Sequence, residues 1–380
     1  MSSDLASKVA QLLFVGVAGS ELSPDERKKL QVLAPGGVIL FKRNYLDLRQ
    51  IVSLTNSIQA CVMMNSHRSA PAWIGVDHEG GRVQRFGAPF TKIPPAKEWG
   101  ELNSPKTTFE LGFIMAKELH AVGVRINFAP VADVPKDMNA PALGDRVFST
   151  DPEVVSSLVS ATVRGLQKGG VLAVTKHFPG HGPANVDSHL ELPKCHVSQE
   201  QLEANDWQPF RRAIRARGDG IMTAHILNTA LDPDRPATLS KKILRDFLRG
   251  ELRFQGLIFS DDMEMGAIVN EYGLEEASVM AIEAGCDQLL ICQSLDAAFS
   301  VHERLVNAFE SKELPMSFLD ESLKRISSAK SNYIGKYKNA NADFAEAVLG
   351  APDFQAVAEA VRQKKVVENG PSTLVKASGE

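Results

Sequence analysis

Short apolar runs and longer amphipathic stretches take turns along this chain. Eight runs rich in aliphatic and β-branched residues fall at 12–17, 37–40 (with Phe41 just beyond), 72–76, 125–128, 171–175, 220–224, 257–260 and 288–291. Each has the length of a buried strand. Between them, apolar positions recur at three- and four-residue spacing, which predicts helices. The stretch SQEQLEANDWQPFRRAIRARGDG opens with Ser198 and Gln201 in capping-box positions and closes on a basic turn followed by glycine. A second stretch, SPKTTFELGFIMAKELHAVGV, keeps helical spacing until it stops near Gly123. Strands that alternate with helices predict a parallel sheet with crossovers. Eight strands are also the number that closes a barrel. The expected fold class is therefore α/β, a (β/α)8 TIM-like barrel forming a single domain over residues 1–337. An open doubly wound sheet is the alternative, and the lack of a G-x-G-x-x-G or P-loop after any run counts against it. Residues 338–380 form a C-terminal tail, expected to be partly helical or disordered, and its end, KKVVENGPSTLVKASGE, reads as polar and frayed.

Composition narrows the picture. With 380 residues, 44% hydrophobic and 23% charged, the chain can bury a sizeable core. A formal charge of −4 gives no electrostatic reason to expect nucleic acid or a membrane surface as partner. No apolar run is long enough to span a bilayer. The opening residues carry an early acid and no basic leader, so no signal peptide is expected. Four cysteines, Cys61, Cys195, Cys286 and Cys292, lie far apart without CxxC spacing. They fit free thiols in a reducing compartment, so the expected location is the cytoplasm.

The chemistry gathers just after the strands. DHEGGRVQR follows the run ending at Val76, KHFPGHG begins where the run ending at Thr175 stops, His225 follows Ala224, and DDMEM follows Ser260. A barrel builds its active site at the carboxyl ends of its strands, so this placement suits catalysis. His177 and His181 have the separation of a helical metal pair, but Pro179 and Gly180 between them oppose a regular helix, and no HExxH pattern exists. A rigid turn that brings Lys176 and His177 to a polyhydroxyl ligand is the better reading, against a purely structural turn. In DSH, Asp187 and His189 project to the same side of an extended segment. The carboxylate can orient the imidazole and favour its charged form, which makes His189 a candidate proton donor, although a solvated loop explains many such tripeptides. Of the two aspartates after Ser260, Asp262 reads as the N-cap of the next helix. Asp261 then points into the barrel mouth, kept ionised near a helix N-terminus. Asp77, Glu79, Arg82 and Arg85 surround a diglycine turn and could equally form a surface knot of ion pairs.

The motifs VDHEGGRVQRF, NFAPVADV, GDRVFSTDP, KHFPGHG, DSH followed by LP, TAHI with RPATLS, and FSDDMEM occur here in that order. The chain resembles the β-N-acetylglucosaminidases of glycoside hydrolase family 3, from about Lys8 to Tyr337. The resemblance implies sugar contacts at Asp77, Arg85, Arg146, Lys176 and His177. It implies an acid/base dyad of His189 supported by Asp187, and a nucleophile at Asp261 rather than Asp262. His78 stands where glutamine is expected, outside the implied direct contacts. No metal and no organic cofactor are implied. The chemistry is that of a retaining glycosidase, with an imidazolium in place of the usual acid carboxyl. The implied substrate is a peptidoglycan-derived fragment with non-reducing terminal N-acetylglucosamine, linked to an anhydro-muramic unit with or without peptide. The implied role is cell-wall recycling in the cytoplasm. Two alternatives stay open: a phosphorylase using the same covalent intermediate, and a sugar-binding protein without turnover.

Overall fold

Eight parallel strands close on themselves: β1 Leu13–Gly16, β2 Gly37–Leu40, β3 Trp73–Val76, β4 Ile126–Asn127, β5 Leu172–Phe178, β6 Gly220–Thr223, β7 Leu257–Asp262 and β8 Gln288–Ile291. The computed structural model describes residues 3–64, 70–138, 143–181 and 191–374. β1 pairs with β2 on one side and with β8 on the other, which completes a (β/α)8 barrel. Each strand matches one of the eight apolar runs to within a few residues.

Aromatic rings fill the barrel. Phe14 of β1, Phe128 just past β4 and Phe259 of β7 meet edge to face with centroids 5.5, 5.6 and 6.1 Å apart. Such pairs add about 0.5–1.5 kcal/mol each beyond the area they bury. The rings fit because the strands facing them are bare at two positions. A Cβ on Gly37 would lie 2.3 Å from the Phe14 ring, and one on Gly75 would lie 2.9 Å from that of Phe128. The plug makes the floor on which the polar mouth stands.

Two strands run past the apolar runs that signalled them. β5 continues through Lys176 and His177 to Phe178, and β7 continues through Asp261 to Asp262. In both, the register slips over those residues, between Thr175 and Phe178 and between Phe259 and Asp262. Such bulges re-aim side chains next to active sites. At the β7 slip the Ser260 hydroxyl accepts from Leu290 N at 3.0 Å, taking the place of a ladder carbonyl.

Two expectations need correction. Asp262 is not an N-cap: the next helix is Gly266–Tyr272, and its N-cap position is Met265, without a side-chain bond. Because β7 keeps pairing with β8 as far as Asp262, a turn separates that aspartate from the helix. Its Oδ1 accepts instead from Glu264 N at 3.1 Å and Cys292 N at 3.4 Å. The stretch after Ser198 does have its capping box, but it forms two helices, Gln199–Ala204 and Trp207–Arg215. In one continuous helix the Pro209 ring would clash with the Asn205 carbonyl, whereas in the first turn of a new helix proline is tolerated.

Beyond Tyr337 the chain forms helices Ala342–Val348, Pro352–Arg362 and Pro371–Leu374 against the flank of the barrel. Phe354, Val357, Ala358 and Val361 are buried at helical spacing. Asn56 exchanges two 2.9 Å hydrogen bonds with the Ala340 backbone. Within the stretch expected to fray, Val367 N donates to Thr107 Oγ1 at 3.0 Å and Ser372 binds Glu110, while residues 375–380 lie outside the described residues.

Glu118, on the helix Pro105–Ala121, is fully buried beneath this tail. Burial pushes its carboxyl from near 4.5 up to about 7, against the pull of hydrogen bonds from Gly350 N and Thr91. The folded state therefore holds this proton where the unfolded state has lost it. The stabilisation is complete below about pH 4.5 and disappears as pH rises through about 7. We expect Glu118→Gln to flatten the pH dependence of urea stability over that window, by up to about 1.4 kcal/mol per pH unit. Parallel slopes for the two proteins would refute the assignment.

Candidate active site

One ammonium organises the barrel mouth. Lys176, at the end of β5, is 3% exposed, and its Nζ lies 2.7 Å from Asp77 Oδ1 and 2.7 Å from Glu79 Oε1. Both carboxylates come from the segment just after β3, where His78–Gly80 pairs with Val83–Gln84 in a short hairpin. Asn127 on β4 holds that hairpin through two 2.9 Å bonds to the His78 backbone. Arg146, from the short turn Gly144–Arg146, forks onto Glu79 with two 2.8 Å bonds. Glu79 is thus a buried anion between two cations. Burial alone would raise its carboxyl, but Lys176 and Arg146 hold it far below the usual carboxylate range. Burial works against the charge on Lys176 as well, and Asp77 and Glu79 outweigh it. Charge-assisted pairs of this geometry are among the strongest hydrogen bonds available to side chains.

Around this pair the remaining donors face inward. Arg85 Nη2 lies 3.9 Å from Asp77 Oδ2, too far for a hydrogen bond. Its Nε is buried without a partner among the described residues. His177 meets Asp133 Oδ2 through Nδ1 at 2.7 Å, while Asp133 Oδ1 accepts from His181 N at 2.9 Å. With the Nδ1 proton given to the carboxylate, Nε2 of His177 is left to the cavity. A turn closed by Gly180 N donating to His177 O at 2.7 Å fixes this arrangement.

The opposite wall is acidic. Burial would raise the Asp261 carboxyl, but His225, His177, the 2.8 Å bond from Asp262 N and Lys176 together hold it below its ordinary value. Its neighbour goes the other way: burial, Glu264 and Asp261 push Asp262 up to about 6. The same bend thus drives two adjacent carboxyls apart, and only Asp261 stands as an anion there. His225 braces the bend, with Nε2 2.9 Å from Asp262 O and Nδ1 2.8 Å from Thr238 Oγ1.

These groups line one cavity of about 420 Å³, with Asp77, Arg85, Arg146, Lys176, His177 and Asp261 all on its wall. A larger hollow, of about 520 Å³, opens at the other end of the barrel near Gln11 and Lys330, away from this chemistry. Of the expected site residues, Asp187 and His189 lie outside the described residues. Sequence reasoning did not single out Asp133, and it noted His181, His225 and Glu79 without giving them a part in the site. Asp133 and His225 sit inside the motifs NFAPVADV and TAHI, and Thr238 lies in RPATLS. His78, the departure from the family pattern, is buried against the rings of Phe86 and Phe90. Among the described residues, no group of three or more His, Cys, Asp or Glu is placed to hold a metal ion. No described helix is long and apolar enough to cross a membrane.

A standing carboxylate at the strand ends of a closed parallel barrel, facing a cradle of charged hydrogen-bonding groups, is what a glycosidase requires. Comparison with known proteins agrees. Residues 4–329 match the glycosyl hydrolase family 3 N-terminal domain. A β-hexosaminidase of Tolumonas auensis is 43% identical over 78% of this chain and 86% of its own. A family 3 β-N-acetylglucosaminidase from Paenibacillus superposes with a TM-score of 0.88 at 32% identity, over 96% of this chain and 69% of that one. NagZ from Neisseria gonorrhoeae, bound to N-trifluoroacetyl-D-glucosamine, gives 0.76 at 32% identity, over 93% and 98%. The protein is a glycoside hydrolase. The chain belongs to glycosyl hydrolase family 3.

Without the anion between them, the two cations would repel. Glu79→Gln leaves Lys176 and Arg146 facing each other in a buried site. We expect a stability loss of about 3–5 kcal/mol, measured by urea unfolding. A loss below about 1 kcal/mol would show that the two cations separate freely.

Proposed function

We propose that this family 3 hydrolase is a retaining β-N-acetylglucosaminidase. It removes non-reducing terminal N-acetylglucosamine from peptidoglycan-derived fragments, through a glycosyl-enzyme formed on Asp261. The observation that carries this reading is the held ionisation of Asp261 across the cavity from the Asp77–Lys176–Glu79–Arg146 cradle. An anion fixed there can attack an anomeric carbon without first losing a proton. Asp77, Arg85, Arg146, Lys176 and His177 hold the sugar, and their fixed orientation supplies part of the rate. The names of the relatives support the hexosamine. His189, supported by Asp187, serves as acid and then base, a role resting on the DSH motif. The anhydro-muramic leaving group and a cytoplasmic site of action rest on the resemblance, and four free cysteines, three of them buried, fit a reducing compartment.

Two experiments test the mechanism. Asp261→Ala should abolish nearly all turnover of an aryl N-acetylglucosaminide. Asp262→Asn should stay active and cost no more than about 1 kcal/mol of stability, since its amide oxygen can still accept from Glu264 N and Cys292 N and the backbone carbonyl that His225 binds is kept. The reverse pattern, or a product first seen as the inverted anomer by NMR, would sink the assignment.

The second experiment concerns His189. A nitrophenolate leaves with little help, so His189→Ala should form the glycosyl-enzyme from an aryl substrate at a modestly reduced rate. The intermediate should then accumulate as a burst, because water lacks its base. Azide, which needs no deprotonation, should restore turnover. Equal losses on aryl glycoside and natural-type disaccharide, with neither burst nor azide effect, would place the proton donor elsewhere.

A further inference from the structure

The segment that follows Arg85 is held from both sides. On the inner side, Gln84 of the hairpin donates from Nε2 to Thr91 O at 3.0 Å and to Phe86 O at 3.1 Å, while its Oε1 accepts from Ile93 N at 2.9 Å. Gly81 N donates to Ile93 O at 3.0 Å. The hairpin that carries Glu79 therefore rests on residues 86–93. On the outer side, Thr91 gives both of its donors to Glu118: N at 3.1 and 3.0 Å to the two carboxylate oxygens, and Oγ1 at 2.8 Å to Oε1.

The remaining partner of Glu118 lies in the tail. Gly350 N donates to Oε1 at 2.8 Å. Gly350 has φ +63°, and a Cβ there would lie 2.4 Å from Pro89 O, so the tail backbone touches the loop directly. Arg362, one helix further on, donates to Lys92 O. Three contacts, at Pro89, Thr91 through Glu118, and Lys92, thus run from the tail to one short loop. No other buried carboxylate among the described residues joins the tail to the segment bearing Asp77 and Arg85.

We propose that the C-terminal segment around 350–362, acting through Glu118 and Gly350, positions the hairpin and loop that carry Glu79 and present Asp77 and Arg85 to the sugar. Glu118 and Gly350 touch no substrate and act only through Thr91 and Gln84. The hairpin stands on a support that cannot move unless the tail moves. Its loosening would change where the sugar-binding carboxylates sit relative to Lys176 without touching Asp261, which hangs on β7 across the mouth. The inference rests on the sugar-binding role proposed for Asp77 and Arg85.

Arg362→Ala removes an exposed contact and leaves the buried core whole, while Gly350→Ala and Glu118→Gln strike the clamp itself. Hydrogen exchange of residues 84–93 and steady-state kinetics on an aryl N-acetylglucosaminide are read together on the full chain, with Asp77→Asn as a control. Each clamp variant should speed exchange in that loop about two- to tenfold, the effect of one lost hydrogen bond. KM should rise by a similar factor while kcat holds, the signature of weakened binding common to ground and transition states. Faster exchange with an unchanged KM makes the tail a merely structural support and overturns the proposal. Unchanged exchange overturns it too, since then no clamp exists. A KM raised in Asp77→Asn but not in the clamp variants rejects the positioning role alone. A KM unchanged in Asp77→Asn as well rejects the sugar-binding reading and the proposal with it.

Discussion

The ammonium of Lys176 cannot stand where it does without Asp77 and Glu79, and much of the barrel mouth is a consequence of that fact. Taking an ion out of water costs several kcal/mol, which only close, well-aligned partners can offset. Two 2.7 Å contacts meet the requirement, but they need both carboxylates on the same side of β3. That forces the chain to double back directly after Val76, and the diglycine hairpin does so. Glu79 in turn accepts Arg146 from a turn 67 residues away, so the loop after β4 is drawn over the same point. Remove the ammonium and three separate loops lose their common reference.

The site divides into two halves with different electrostatic logic. β3, β4 and β5 supply one half, in which Asp77, Glu79, Arg146 and Lys176 are paired with one another and therefore fixed in space. β7 supplies the other half, where Asp261 is held as an anion mainly by His225 and His177, with Lys176 contributing least. The ionisation of Asp261 thus depends only weakly on the cation at the centre of the paired cluster. His177 is the bridge, since Asp133 fixes one ring nitrogen while the ring's field reaches Asp261. Beneath both halves, the ring cluster of Phe14, Phe128 and Phe259 fills the barrel, so these fields act in a poorly screened environment.

Much of this was legible along the chain, and the illegible parts have a common cause. The eight strands showed as apolar runs because a barrel strand is buried on both faces. The same rule hid the ends of β5 and β7. There the register slips, and the residues that continue the strand, Lys176, His177, Asp261 and Asp262, are polar, so apolarity stops before the pairing does. Asp262 looked like a cap because an aspartate before an apolar stretch usually is one. The extra turn before Gly266 depends on pairing with β8, which no local pattern reports. The long cations were recognisable as groups facing the barrel mouth, but their pairing with counter-charges was not. Asp77 and Lys176 are 99 positions apart, and Asp133 and His177 are 44 apart. Only closure of the barrel brings them together. The tail's anchoring was hidden for a related reason: Val367 and Ser372 bond to Thr107 and Glu110, 260 and 262 positions earlier, and no local pattern reports such partners.

A register slip in a parallel strand costs ladder hydrogen bonds, and here each lost bond has a replacement tied to the chemistry. The Ser260 hydroxyl stands in for a carbonyl toward Leu290, which frees the next residue, Asp261, to turn inward. Asp262 N, which would otherwise extend the ladder, donates to the Asp261 carboxylate and helps keep it ionised. Asp262 O is taken by His225, the largest source of the field that also favours that ionisation. At β5 the Phe178 carbonyl still bonds to Ala224 N beyond the slip, so the strand is recaptured after Lys176 and His177 have turned into the cavity. The deformation that exposes the reactive groups and the bonds that set their charge are therefore the same structure. That accounts for the serine before the aspartate and for the histidine on β6's following loop, positions whose chemistry is spent on the backbone and the field around it.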